Sequence, residues 1–122
     1  MSVIKVSQRN KDDEKTPTRV YSKKQENTIA DKFSGNRQKN SGATPFEKGD
    51  VKLDDILIEC KTKTTKSDSI SIKREWLEKI DKESLFMGKQ YGVLAFNFGP
   101  GEENHYIIDE CLFKKLTEMI AE

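Results

Sequence analysis

Three residues close together in the chain have the types and spacing of a hydrolytic site: Asp50, and Glu59 with Lys61 in the tripeptide Glu59-Cys60-Lys61. Two carboxylates brought side by side repel each other, and they coexist when one is protonated or a cation lies between them. A hard divalent ion suits such a pair. Mg²⁺ accepts one or two carboxylates and keeps the rest of its shell for water and phosphate oxygens, and Mn²⁺ takes the same ligands in substitution. An ammonium two residues beyond the Glu can orient a water or meet developing negative charge. Together these are the parts for metal-assisted phosphodiester hydrolysis. The same residues also fit a solvated strand face in a chain rich in Glu and Lys, and their types alone do not separate the two readings.

The element that must position them is a β-hairpin. Val51-Lys52-Leu53 and Ile56-Leu57-Ile58 flank Asp54-Asp55, an apolar and β-branched pair of runs around an acidic turn. With Asp54 and Asp55 as the loop, Leu53 faces Ile56, Val51 faces Ile58, Asp50 faces Glu59 and Lys48 faces Lys61. Alternation then gives one core face of Val51, Leu53, Ile56, Ile58 and Cys60, and a second face of Asp50, Glu59 and Lys61. A longer loop shifts this register and leaves Asp50 merely near Glu59.

The remaining elements follow from periodicity. A helix is expected over 21–33, with Ser22 and Gln25 as a capping box, Ile29 and Phe33 on one face, Glu26 at the edge of that stripe and Gly35 as terminator. Residues 37–44 read as a strand or extended loop. Arg37 and Lys39 share one side of it, and the small Ser41-Gly42-Ala43 permits close approach of a nucleic-acid backbone or forms an ordinary turn. Thr62 to Lys66, including Lys63, is a hydroxyl- and ammonium-rich stretch just beyond Lys61. A second helix is expected over 73–87, with Trp76, Ile80 and Met87 on its core face and Trp76 assigned to packing. A buried strand over 91–98, turn chemistry at Gly99-Pro100-Gly101, a strand over 105–108 and an Asp109-capped helix over 110–120 complete the chain. The order helix, three strands, helix, two strands, helix predicts an α/β fold with a mixed sheet flanked by helices.

The chain has 122 residues, with 22 Lys and Arg against 21 Asp and Glu, so one domain is expected and no global basic field advertises nucleic acid. Residues 1–20 are polar and aperiodic apart from Val3-Ile4-Lys5-Val6, and read as an arm, free or bound to a partner, ahead of a domain over 21–122. No apolar run is long enough to cross a bilayer and no signal-peptide core is present, which predicts a cytoplasmic protein without membrane contact. Cys60 and Cys111 lack a metal-binding spacing and His105 is the one histidine, so any metal is expected on carboxylates.

Gly49-Asp50-Val51 followed by Ile58-Glu59-Cys60-Lys61 resembles the core of the PD-(D/E)xK nuclease superfamily, and within it the small Holliday-junction-resolvase-like nucleases of phages and prokaryotes. The likeness extends upstream through Lys23-Lys24-Gln25-Glu26, Asn36-Arg37 and Ser41-Gly42-Ala43, and downstream through Ile72-Lys73-Arg74-Glu75-Trp76-Leu77. Gly49 stands where the superfamily carries Pro. The resemblance implies a restriction-endonuclease-like fold and a Mg²⁺-dependent endodeoxyribonuclease that resolves four-way or related branched DNA. It implies Asp50, Glu59 and Glu26 as metal ligands, Lys61 as the catalytic ammonium, and Lys24, Arg37, Lys39, Ser41, Lys63 and Lys73 as DNA contacts. A homodimer in a prokaryotic or phage-infected cell follows from the same likeness. A non-catalytic DNA-binding module, or a nickase, repair or restriction-type nuclease, is the competing reading.

Overall fold

The computed structural model describes residues 17–37 and 50–122. Its elements are α1 (Pro17–Phe33), β1 (Asn36–Arg37), β2 (Val51–Leu53), β3 (Ile56–Lys61), α2 (Arg74–Phe86), β4 (Tyr91–Phe96), β5 (His105–Ile107) and α3 (Glu110–Ala121). The strands form one sheet in chain order. Neighbours are antiparallel except β3 and β4, which run parallel and are joined through α2. A parallel pair needs such a crossover because a tight turn cannot return the chain to the same end of the sheet. The fold is therefore α/β, a mixed sheet flanked by helices.

Strand alternation divides the apolar residues between two layers. Val51, Ile58, Cys60, Val93 and Ala95 point to one face, where they pack with Ile29 and Ala30 of α1 and Leu112 of α3. Leu57 and Leu94 point to the other face and are fully buried, on the side covered by α2 through Ile80. Each such side chain contributes about 1.5–3 kcal/mol by leaving water. Gly92 lets α2 settle onto β4, since a Cβ at that position would lie 2.9 Å from the Ile80 carbonyl oxygen.

Several local expectations are corrected. Helix α1 starts at Pro17, which suits a first helical position because its missing N–H has no helical partner there. Ser22 consequently lies inside the helix and is not its cap. The buried stripe of α1 is Gln25, Ile29 and Ala30, while Phe33 is half exposed and stacks edge-on against Tyr106. At the C-terminus Ser34, not Gly35, takes the left-handed conformation with φ 56°, and the Gly35 N–H reaches back to the Ala30 carbonyl at 2.8 Å. A Cβ at Gly35 would meet the tip of the Leu53 side chain, which would have to move aside. Asp109 caps α3 as expected, accepting the Leu112 N–H at 2.8 Å. Of the apolar stripe on α3, only Leu112 enters the core, and Phe113, Met119 and Ile120 face outward. No helix among the described residues is long and apolar enough to cross a membrane.

Candidate active site

The hairpin forms in the register expected from its turn, with Leu53 opposite Ile56 and Val51 opposite Ile58. Its ladder stops one residue short of the expected Asp50–Glu59 pair. Asp50 sits in a bend and its N–H bonds to the Ile58 carbonyl at 2.9 Å. Its carboxylate then takes over the role of a strand backbone, with Oδ2 accepting the Cys60 N–H at 2.7 Å. That bond fixes the carboxylate beside β3, between residues that point to opposite faces of the sheet.

Glu59 points to the α2 face, beside Leu94 of β4. The face is not solvated: Glu59 is only 6 % exposed. Helix α2 brings Lys79 to it, with Nζ 3.5 Å from Oε1, and Lys61 reaches the same oxygen at 3.8 Å. Burial pushes the Glu59 pKa up, the Asp50 charge pushes it further, and the two ammonium groups only partly oppose them, leaving it at about 7. Partial burial works against the Lys79 ammonium, but the charges of Glu59 and Glu83 outweigh it and raise its pKa.

The Lys61 ammonium lies 4.7 Å from the centroid of the Trp76 ring, close enough for a cation–π contact that orients it. Trp76 is half-buried, so it combines the expected packing with a role in holding Lys61. Lys73 also approaches that ring, at 5.9 Å.

Asp50 and Glu59 fit a hard divalent cation. They are two oxygen donors that feel each other's charge, and the buried one retains a proton at a pH where an ordinary carboxylate has lost it. A cation bound between them would replace that proton. The expected third ligand, Glu26, is half-buried on α1, and its charge reaches Cys60, whose side chain lies on the opposite face from Glu59. Among the described residues, no three acidic, histidine or cysteine side chains are grouped to hold a metal. A pair of carboxylates would suit an ion that keeps several waters. Burial, followed by the charges of Asp50, Glu26 and Glu59, drives the Cys60 thiol pKa upward, so it is a packed group and not a nucleophile.

The other expected site residues are dispersed. Lys24 is exposed on α1 at the rim of a cleft beyond the ends of β3 and β4. The Lys63 ammonium is turned onto the following loop, donating to the Ser69 carbonyl at 2.6 Å and to the Ser67 hydroxyl at 3.2 Å. Lys73 is exposed just before α2. Arg37 lies in β1 opposite Val51. Lys39 and Ser41 lie outside the described residues.

Two further residues bear on the candidate site, one that the sequence patterning did not single out and one that it placed only in a capping box. Lys79 is one; its spacing of three from Trp76 and four from Glu83 was the available signal, since such neighbours share a helix face. Gln25 is the other: buried on α1, it donates to the Lys61 carbonyl at 2.9 Å and so ties the helix to β3. Its spacing of four from Ile29 marks it for the buried stripe, whose edge was expected at Glu26. Comparison with family models, curated proteins and solved structures finds no match to this chain.

Proposed function

We propose that this protein is a divalent-metal-dependent endodeoxyribonuclease of restriction-endonuclease-like fold, acting on branched DNA such as four-way junctions. The observation that carries the reading is the convergence of Asp50, buried Glu59 and Lys61 where β2 and β3 part. The resemblance of the surrounding sequence to junction-resolving nucleases supports the choice of substrate.

Asp50 and Glu59 would hold Mg²⁺, or Mn²⁺ in its place, which supplies positive charge to the scissile phosphate. Lys61 stands beside that position with its ammonium fixed by Trp76 and Glu59. There it orients the attacking water and stabilises charge developing on the phosphate oxygens. Glu59 serves as a ligand only when ionised, and Lys79 favours that state from α2. Lys24 and Lys73 provide exposed cations on α1 and just before α2 for phosphates flanking the cut.

Symmetric resolution of a four-way junction needs two such sites, hence two chains about a two-fold axis. The outward residues of α3 offer an apolar surface for that contact. The expected contribution of the arm at Val3 to Val6 lies outside the described residues. The test is a panel of four-way junction, fork, nicked duplex and plain duplex DNA, incubated with Mg²⁺ or EDTA. Mg²⁺-dependent cleavage of the branched substrates, with plain duplex left uncut, is the expected result. Absence of cleavage on every substrate overturns the enzymatic reading and leaves a DNA-binding module.

A further inference from the structure

The register of β3, β4 and β5 lays two rows of side chains across the α2 face of the sheet. Glu59, Leu94 and Ile107 form one row; Lys61, Phe96 and His105 form the next, at the C-terminal ends of β3 and β4. Helix α2 packs on β3 and β4 and buries Leu94. The outer row lies at the start of that helix, where Trp76 meets the Lys61 ammonium. Phe96 is half-buried there and His105 is exposed.

Phe96, His105 and Phe98 form a cluster of three aromatic rings. The Phe96 and His105 centroids are 5.5 Å apart with their planes inclined by 30°. Phe98 stands edge-on to both, at 5.7 Å from each. The backbone beside Phe98 is fixed by the loop that follows Lys61. The Phe98 carbonyl accepts the Ser67 N–H at 2.8 Å, and a Cβ at Gly99 would lie 2.7 Å from the Lys66 Cα. None of the three rings belongs to the buried core. The cluster is instead bracketed by cations. Lys61 adjoins Phe96 on β3, and Lys66 adjoins the Phe98 end, its side chain 74 % exposed and held by Glu102 only at 3.9 Å.

We propose that this cluster is a stacking platform for an unpaired base of the bound DNA strand close to the scissile phosphate, with Lys66 meeting a neighbouring phosphate. The inference rests on the nuclease reading for the identity of the strand. Neighbouring strands of a sheet lie roughly 4.8 Å apart, so His105 stands about 10 Å across the sheet from Lys61, on the same face. A base near a phosphate held at Lys61 reaches that far. Every base has a π face, so an aromatic platform accepts any of them, as recognition of branch shape requires. A branch point supplies bases that are already unpaired, which lowers the cost of bringing one onto the rings. The bracketing ammonium groups favour a polyanion over an apolar protein surface, which would bury them without partners.

His105 is the one histidine of the chain, so its imidazole proton signals are unambiguous in an NMR spectrum. The experiment titrates the full chain, in EDTA at constant pH, with a short single-stranded oligodeoxyadenylate and with an abasic strand of the same length and phosphate count. The oligodeoxyadenylate is expected to move the imidazole signals upfield and to bind at least about fivefold more tightly than the abasic strand, the scale of one stacked base. His105→Leu keeps an apolar side chain at this exposed position without the ring, and should remove most of that preference while leaving abasic binding unchanged. His105→Tyr keeps a ring and should keep the preference. Equal binding of the two strands, imidazole signals that stay in place at millimolar strand, or an undiminished preference in His105→Leu overturns the proposal. An imidazole shift that follows protein concentration without DNA also overturns it, because it marks a contact between two copies. Cleavage plays no part in this readout, so a protein that stacks the base but cuts no DNA would retain the platform and lose the nuclease.

Discussion

The Asp50 carboxylate accepts the Cys60 backbone N–H at 2.7 Å, so one side chain both ends the β2–β3 ladder and stands beside Glu59. Its structural and electrostatic roles pull in opposite directions. The hydrogen bond stabilises the hairpin end, and the charge repels Glu59.

Asp50→Ala is therefore expected to destabilise the protein by about 1–3 kcal/mol through the orphaned Cys60 N–H. Asp50→Asn keeps an acceptor oxygen and removes the repulsion, so it should be at least as stable as the wild type without metal. Mg²⁺ is expected to raise the melting temperature of the wild type and to leave that of both variants unchanged. Denaturant melts and thermal scans with and without Mg²⁺ check this. Equal stability of the Ala and Asn variants would contradict the structural role.

Stability should also depend on pH through Glu59. Its pKa is raised from 4.5 to about 7 on folding, so the folded state binds the extra proton between those values. Stability is then greatest below pH 4.5 as far as this group is concerned, and falls as pH rises through about 7. The loss is on the order of 3 kcal/mol, since each tenfold change in proton affinity is worth about 1.36 kcal/mol. Glu59→Gln should flatten the curve over that window in urea titrations, and saturating Mg²⁺ should flatten it for the wild type. A variant with the wild-type slope would remove Glu59 as the cause.

The sheet pattern was legible because the hairpin residues alternate cleanly, and Val51, Ile58 and Cys60 lie on the face their spacing assigns them. What lay over the opposite face was not legible. Glu59 looks like a surface residue in any local window, and only the docking of α2 through Ile80 and Gly92 buries it. Lys79 was missed for the same reason, because its partner is twenty residues away in the chain. The amide cluster joins Gln25 of α1 to Asn97 after β4 and Asn104 before β5, positions that no local window connects. Ser34 was missed because a left-handed turn was expected at glycine, whereas here the glycine packs against the Leu53 side chain.

Lys79 is a positioning residue and its removal should move a pH profile. Lys79→Met takes away the larger of the two charges that oppose protonation of Glu59, so the rise of cleavage with pH should shift to higher pH. The plateau rate above that rise should stay close to wild type. Single-turnover cleavage across pH checks it, and a uniformly lower rate with an unmoved midpoint would contradict the role.

The outward face of α3 should hold two chains together. Phe113 and Ile120 are 59 % and 84 % exposed, and Leu116 lies between them on the same side of the helix. Light scattering at micromolar concentration is expected to give a dimer, and Phe113→Glu with Ile120→Glu a monomer that nicks but no longer resolves junctions. A wild-type monomer that cuts both strands symmetrically would contradict this arrangement.

The most direct measurement is single-turnover cleavage of a four-way junction by wild type, Glu59→Gln and Lys61→Ala, with junction affinity measured in parallel by gel shift. The wild type should cut with Mg²⁺ and not with EDTA. Both variants should bind the junction within a few-fold of wild type and lose cleavage by at least about a hundredfold, the scale of one lost transition-state charge or ligand. Cleavage at the wild-type rate by either variant, or by the wild type in EDTA, would contradict the assignment of Asp50, Glu59 and Lys61 as a hydrolytic centre.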